Sequence, residues 1–369
     1  MKYCKKCVMP DTRPGLKIDK DGICEACKRA EKRRKVDWKA RQEKLRRFVK
    51  KYKRNDGYHD CIITVSGGKD SYFQTYLMKE KLNMNPLLVC VKDTFTHTKT
   101  GEYNLKNLSE TFECDLITYT LNASTTRKML WIAFEDFGSP NWPIDLAIYS
   151  IPLKIASALK IPLIVYGENV AYEYGGPHAK DTYNAKEQIK NDVVKHIDWE
   201  WWYKKGIKRE EVEMIKYPSP EIVDALDPIY ISYFYPWDGR KNYEIAKQYG
   251  FRDLTHEWRR EGFIEDYDQV DSIGYLVHPW LKYPKFGHAR ATDVASYWIR
   301  LGYITREEGI ALVKQHDHKL DQKALDDFLK FSGYTDKEFW SLAEKFWNKK
   351  IFKKVNEGWK LKNPIWKQI

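Results

Sequence analysis

The chain has no run of about 18 apolar residues, the length a membrane-crossing helix needs, and its opening, Met1-Lys2-Tyr3-Cys4-Lys5-Lys6-Cys7, is not a charged-then-apolar export leader. Those two absences predict a cytoplasmic protein with no membrane partner. Cysteine is sparse beyond the N-terminus: after Cys27 there is no further C-x-x-C, only Cys61, Cys90 and Cys114, each beside an apolar strand pattern and each expected to pack in the core. Acidic residues are in deficit, 52 against 64 Lys plus Arg, and the resulting charge of +12 favours polyanionic ligands such as nucleotides, nucleotide-sugars or RNA. Apolar material is not lacking. A hydrophobic content of 43% and an aromatic content of 15% over 369 residues exclude global disorder and supply one large or two ordinary cores.

Four of the seven cysteines stand in the first 27 residues, as Cys4-x2-Cys7 and Cys24-x2-Cys27 with sixteen residues between the pairs. Each C-x-x-C turn sets two thiolates on one side, and two such turns can close a tetrahedral S4 site for Zn2+. Pro10, Pro14, Gly15 and Gly22 supply the turns of a ribbon too short for a core of its own, so metal binding would supply much of its folding free energy. Disulfides do not suit a reduced compartment, whereas an iron–sulfur cluster stays open as an alternative. With four thiolates a zinc ion is saturated, hence structural. Residues 28–54 then carry fifteen Lys or Arg against Glu31, Asp37 and Glu43, a basic helical connector that is either a solvated face or a functional patch.

The most informative stretch is Cys61-Ile62-Ile63-Thr64-Val65-Ser66-Gly67-Gly68-Lys69-Asp70-Ser71, followed by an apolar-periodic run from Tyr72 to Leu82. It reads as strand, tight loop, helix, with the loop at the helix N-terminus. Unpaired first-turn N–H groups, two glycines that allow close backbone approach and the charge of Lys69 make this an anion site fit for phosphate. It is not G-x-x-x-x-G-K-[ST], so a Walker-type grip is not expected.

Further along, 86–91, 115–121 and 161–166 read as strands, and 125–137 and 143–159 as helices. Strands alternating with helices predict βαβ units, a parallel sheet and ligands at the strands' carboxyl ends. Gly167-Glu168-Asn169 after the fourth strand would then share an edge with the first loop. Asp70 and Glu168 are candidate Mg2+ ligands, because a departing pyrophosphate needs its charge offset by a hard cation; helix capping is the plainer role for each. Lys92 and Asp93, ending the second strand, sit where base or ribose contacts fall. Ala171 to His178, A-Y-E-Y-G-G-P-H, reads as a substrate loop, residues 185–225 as a helical, Trp-rich insertion or lid, Ile229 to Phe234 as a fifth strand and Lys241 to Tyr249 as the next helix. The tail reads as α-helical, with capping boxes at Thr305-x-x-Glu308 and Thr335-x-x-Glu338. His288, Arg290 and Asp293, at a helix start, either cap and decorate it or meet the nucleotide from a second domain. The expected organisation is a zinc ribbon (1–30), a basic connector (31–57), an α/β nucleotide domain (58–250) and a mainly helical C-terminal region (251–369).

The form S-G-G-K-D-S resembles the pyrophosphate loop (PP-loop) of the ATP pyrophosphatase superfamily, which implies cleavage of ATP to AMP and pyrophosphate. The ribbon's C-K-K-C-V-M-P-D-T-R-P-G, the loop, Gly167-Glu168-Asn169, Tyr174-Gly175-Gly176-Pro177, P-W-D-G-R-K-N at 236–242 and F-G-H-A-R-A-T-D at 286–293 together resemble the N-acetyl sugar amidotransferases of the WbpG and PseA type. That resemblance spans nearly the whole chain. It implies conversion of an acetamido group on a nucleotide-activated bacterial surface sugar to acetamidino, in O-antigen or nonulosonic acid biosynthesis, with ammonia from a HisH-like glutaminase and a HisF-like channelling subunit. The implied site has Ser66, Gly67, Gly68, Lys69, Asp70 and Ser71 around the pyrophosphate of ATP, with Asp93, Gly167 and Arg290 as further nucleotide contacts. Lys69, Asp70 and Glu168 would carry the catalysis. The segment Trp142 to Ala147 departs from the family's form, which has a cysteine and a histidine there. No glutaminase is visible: residue 2 is lysine, and Cys61 and Cys90 lack a glycine-flanked elbow. Two competing readings are a tRNA thiolase, favoured by the basic segment and opposed by the missing second C-x-x-C, and a non-catalytic assembly module, opposed by the intact loop. Nucleic acid is therefore not the expected partner.

Overall fold

The structure is a computed structural model that describes residues 1–369 except 177–178, 189–195, 357 and 369. Five strands, β1 (Cys61–Val65), β2 (Pro86–Lys92), β3 (Leu116–Thr120), β4 (Leu163–Tyr166) and β5 (Asp227–Tyr230), form one sheet in the order β3-β2-β1-β4-β5. All four pairings are parallel. The β-branched run of β1 sits at the centre and is buried on both faces: Cys61, Ile63 and Val65 enter one apolar cluster, Ile62 another. This double burial is what a continuous apolar strand requires. Strand order reverses at β1, with β2 on one side and β4 on the other, so a crevice opens beyond their carboxyl ends where a doubly wound sheet takes its ligands.

The α/β sheet, the N-terminal cysteine unit and the C-terminal helices match the sequence expectation, with local differences. The run Ile229 to Phe234 does not stay extended. β5 ends at Tyr230 and a 3-10 turn covers Ile231–Tyr233, because the backbone N–H of Ser232 turns back to donate to the Gly167 carbonyl (3.1 Å). The helix after the loop is α-helical over Lys69–Tyr76 and widens to a π turn over Leu77–Lys81. Residues 185–225 hold three short helices, Trp199–Lys204, Arg209–Val212 and Pro220–Asp224, with 189–195 outside the described residues. Trp202 is fully buried against Trp142 (ring centroids 4.7 Å apart), so this part of the segment is anchored in the second core. The tail has both expected capping boxes but ends in an antiparallel pair, β6 (Phe352–Val355) and β7 (Gly358–Leu361), which the helical reading did not include. Residues 251–276, placed by the sequence in the C-terminal region, put Phe251, Leu254, Trp258, Phe263, Val270 and Ile273 into the core of the sheet.

The basic connector is two helices, Glu25–Arg33 and Trp38–Lys50. Several of its arginines are bonded inward: Arg29 to the carbonyls of Ala171 and Tyr172, Arg33 to Glu173 and the Ser232 carbonyl, Arg41 to Asp181 and the Tyr233 carbonyl. These three arginines fasten the connector to the segments that follow β4 and β5.

The ribbon itself is held by its cysteines. All four are buried, and their sulfurs lie within 4.8 Å of one another. Cys4 to Cys27 and Cys7 to Cys24 are each 3.8 Å Sγ to Sγ. A tetrahedron with metal–sulfur bonds of about 2.3 Å has edges of about 3.8 Å, so the donor set fits one tetrahedral ion and leaves no room for a four-iron cluster. Backbone N–H groups of Lys6 and Cys24 approach the Cys4 sulfur at 3.4 and 3.3 Å, as thiolate ligands require. Val8 packs with Ala295, Ile310 and Val313, so the ribbon closes onto the C-terminal helices. Zinc removal should therefore loosen more than the ribbon. Metal analysis of the purified chain is expected to return a single zinc per molecule, and Cys24→Ser to lose it together with stability on the order of several kcal/mol. Full zinc content and an unchanged melting curve in that variant would contradict the assignment.

Candidate functional site

The loop after β1 is shaped by two close approaches. Gly67 has φ +83°, and a Cβ there would meet the Leu105 backbone nitrogen at 2.9 Å, so a side chain is excluded by both conformation and space. The Ser66 N–H donates to Ser71 Oγ (3.0 Å) and the Gly68 N–H to Ser66 Oγ (3.2 Å), which pulls the loop into a cup at the start of the helix Lys69–Tyr76. Gly167 after β4 is confined by side chains alone, since a Cβ would meet Trp237 at 3.0 Å and Gln74 at 3.1 Å.

Two adjoining cavities meet at this loop. One, about 340 Å³, runs along the ends of β1, β2 and β4 and is lined by Val89, Val91, Asp93, Tyr149, Tyr166 and Glu168 among others. The other, about 310 Å³, lies under Gly68, Lys69, Asp268, Lys282 and Arg290. Ser66, Asp70 and Glu168 line both. A chamber walled by tyrosines and aliphatic side chains as well as carboxylates, beside one that also carries cations, suits a nucleotide, with the base in the first and phosphates in the second.

The sequence candidates are thus gathered in one place. Ser66, Asp70, Ser71, Asp93, Gly167 and Glu168 line the first cavity, while Gly68, Lys69 and Arg290 line the second. Gly67 lines neither and acts by letting the loop sit on Leu105. Asp93 caps its own turn by accepting from the Phe95 N–H (2.9 Å), and burial raises its pKa. Pro177 and His178 of the expected substrate loop lie outside the described residues; Tyr174 of the same stretch lines the second cavity.

The electrostatics differ from the simple picture of a free lysine. Lys69 is buried and donates to Asp70 Oδ2 (2.7 Å) while also pairing with Asp268. Burial disfavours its charge, but Asp268 and Asp70 outweigh it and hold the ammonium protonated. Both oxygens of Asp70 are engaged, Oδ1 accepting from Asn242 (2.7 Å). Asp268 also accepts from Arg290 (2.6 Å); burial works against its charge, yet Lys69 and Arg290 keep its pKa at about 2. Glu168 has the opposite fate: burial first, and then the charge of Asp70, push it up to about 7.

Around the second cavity five carboxylates (Asp70, Glu168, Asp268, Asp271, Asp293) face four cations (Arg13, Lys69, Lys282, Arg290). A triphosphate entering a chamber with no positive surplus needs its own cation, so the residues fit a nucleotide bound as its magnesium chelate. Sequence reasoning missed Arg13, Asp268, Asp271 and Lys282. Arg13 sat in the ribbon, read only for its cysteines. The acidic run Glu265-Asp266-Tyr267-Asp268-Gln269-Val270-Asp271 was visible as a cluster, but nothing in its spacing pointed to a loop more than a hundred residues upstream.

Residues 258–365 match the family model for the LPS biosynthesis protein WbpG-like, C-terminal domain. Over 171 residues the chain is 28% identical to an uncharacterized protein of Methanocaldococcus jannaschii, a match covering 42% of this chain and 60% of the relative. The chain thus spans about 60% of that curated relative's length. Among solved structures, the NH3-dependent NAD synthetase of Campylobacter jejuni is similar at 13% identity, covering 58% of this chain and 96% of its own, with a TM-score of 0.29. The NMN synthetase of Francisella tularensis is similar at 11% identity, covering 81% and 94%, with a TM-score of 0.30. Residues 258–365, which bring Asp268, Lys282 and Arg290 to the loop, are therefore the stretch similar to the WbpG-like C-terminal domain.

Proposed function

We propose that the chain is an ATP-dependent sugar amidotransferase of LPS O-antigen biosynthesis. Its substrate would be a nucleotide-activated acetamido sugar of the UDP-2,3-diacetamido-mannuronic acid type. The observation that carries this reading is the meeting of the S-G-G-K-D-S loop with Asp268, Lys282 and Arg290 of the WbpG-like domain around one cavity. A phosphate loop alone argues for a nucleotide; the second domain's presence in the same chamber argues for a sugar of that pathway.

In this mechanism the acetamido carbonyl oxygen attacks the α-phosphorus of ATP, pyrophosphate leaves, and the amide gives up its N–H proton to form an O-adenylyl imidate. Ammonia adds to the imidate carbon, AMP departs with the former carbonyl oxygen, and an acetamidino group remains. Ser66, Gly68 and Ser71 would cradle the pyrophosphate. Lys69, fixed by two carboxylates, would present a preset positive charge where negative charge grows, at no reorganisation cost. Asp70 and Glu168 would hold magnesium, which supplies charge neutralisation for the leaving pyrophosphate. Ammonia would come from a partner glutaminase, HisH-like and HisF-like in type. The thiolase alternative loses support, because no cysteine lines either cavity among the described residues.

Phosphorus NMR with mass spectrometry of the sugar tests the reading directly. With ATP, magnesium, ammonium and a UDP-diacetamido-uronic acid, AMP and pyrophosphate should appear beside a sugar about 1 Da lighter, oxygen having been exchanged for NH. Formation of no AMP would overturn it. Lys69→Ala should lower turnover roughly 100- to 1000-fold, and a correctly folded variant with near-normal turnover would remove Lys69 from the mechanism. Because Glu168 titrates at about 7, protons compete with magnesium for it. Affinity for magnesium-ATP should rise up to tenfold per pH unit below about 7 and level off above. Glu168→Gln should flatten that profile in calorimetry. Without metal the sign reverses for stability: a raised carboxyl pKa favours the folded chain at low pH, and this contribution is lost as pH rises through about 7.

A further inference from the structure

A third cavity, about 550 Å³, opens beside the two at the loop and shares Arg13, Val170 and Lys282 with the charged one. Its walls include Arg13 and Pro14 of the ribbon, Ser139 and Asp145 between β3 and β4, Gly175 and Gly176 after β4, and Lys282, Lys285 and His288 of the C-terminal domain. It is large enough for a sugar, and its shared edge puts any occupant next to the phosphate chamber.

The cavity is cationic in an unusual way. Arg13 and Lys282 are both spent on Asp293. Lys285 is not spent on any acid: its Nζ donates to the Gly138 carbonyl (2.7 Å) and to Ser139 Oγ (3.2 Å), and no carboxylate lies at ion-pairing distance among the described residues. Burial first, and then the neighbouring charge of Lys282, lower its pKa to about 8. The acid in the same wall, Asp145, accepts from the Tyr275 hydroxyl (2.8 Å); burial pushes it up to about 7, and its charge offsets only part of the lowering at Lys285. A half-buried ammonium held only by neutral acceptors has no counter-ion until an anion arrives. The second observation is His288, 1% exposed, with neither ring nitrogen hydrogen-bonded and Nδ1 4.0 Å from Asp293. A buried imidazole in the cavity wall with no hydrogen-bond partner on either nitrogen would gain one from a ligand hydroxyl or amide.

We propose that this third cavity is the acceptor-sugar subsite, in which Lys285 binds an anionic oxygen group of the sugar substrate and His288 hydrogen-bonds its ring substituents. The assignment of the occupant as a sugar rests on the amidotransferase reading; the anion site itself does not. Two groups have the required chemistry, a uronate carboxylate and the diphosphate of the nucleotide carrier. The cavity's position lets the acetamido group reach the phosphate chamber while the anionic end stays on Lys285.

The test is footprinting of Lys285 in the full-length, zinc-loaded protein by an amine-reactive acylating reagent, read by mass spectrometry. Three probes are used, UDP-glucuronic acid, UDP-N-acetylglucosamine and free glucuronate, with ATP alone as control. The expected result is at least several-fold protection of Lys285 by UDP-glucuronic acid and none by ATP. Protection by both UDP-sugars places the diphosphate on Lys285, whereas protection by the two uronates alone places the carboxylate there. Lys285→Met should weaken UDP-glucuronic acid binding roughly 10- to 100-fold, as loss of a charge-assisted contact does, and Lys285→Arg should recover most of it. Absence of protection by all three probes, or unchanged affinity in Lys285→Met, overturns the proposal. Lys285 protection without AMP formation would keep the subsite and remove the amidotransferase; AMP formation with an unchanged sugar KM in Lys285→Met would do the reverse.

Discussion

The interaction on which the site depends is the buried ion network that starts at Lys69. Lys69 binds Asp70 on its own helix and Asp268 in the C-terminal domain; Asp268 binds Arg290; three residues on, Asp293 binds Arg13 of the ribbon and Lys282. Through these groups the loop, the WbpG-like domain and the ribbon share one charged seam. Such a seam adds little net stability, because desolvation consumes most of the Coulomb gain. Its value is positional. Removing one member leaves its partner buried and uncompensated, so the three parts are held in a single mutual arrangement around the chamber.

The ribbon gains a purpose from this. A saturated four-thiolate unit does no chemistry, but it carries Arg13 to the edge shared by two cavities and, through Arg306, bonds the carbonyls of Cys4 and Cys7 to the C-terminal helices. The connector acts alike, its arginines laid over Trp38, Tyr172 and Tyr233 as well as bonded to carbonyls. The four-cysteine cluster at one end of the chain thereby helps to set the geometry of the cavities at the loop.

Much of this was legible from local pattern. The strand, Gly-Gly turn and helix at 61–76 announce themselves because apolar period, glycine and helix start fall in sequence within a dozen residues, and paired C-x-x-C turns do the same for the metal unit. The fifth strand was overread because aromatic β-formers at 231–234 pack equally well in a turn, and the β6–β7 hairpin was missed because its lysine-rich strands lack a clear alternation. Asp70 and Glu168 were found as a pair because parallel strands must end at a common edge.

What the sequence by itself determined was the set of parts: a four-cysteine unit, an α/β sheet with a Gly-Gly loop after its first strand, and a helical tail. Each is encoded by residues close together in the chain, where spacing alone constrains geometry. Tertiary structure alone decided that Lys69 is clamped by Asp268, that Glu168 is pushed toward neutral pH, and that Arg13, Lys282, Lys285 and His288 wall one cavity. Charge state and pocket shape depend on distances between segments up to 275 residues apart, as from Arg13 to His288, and packing sets those distances while sequence spacing does not.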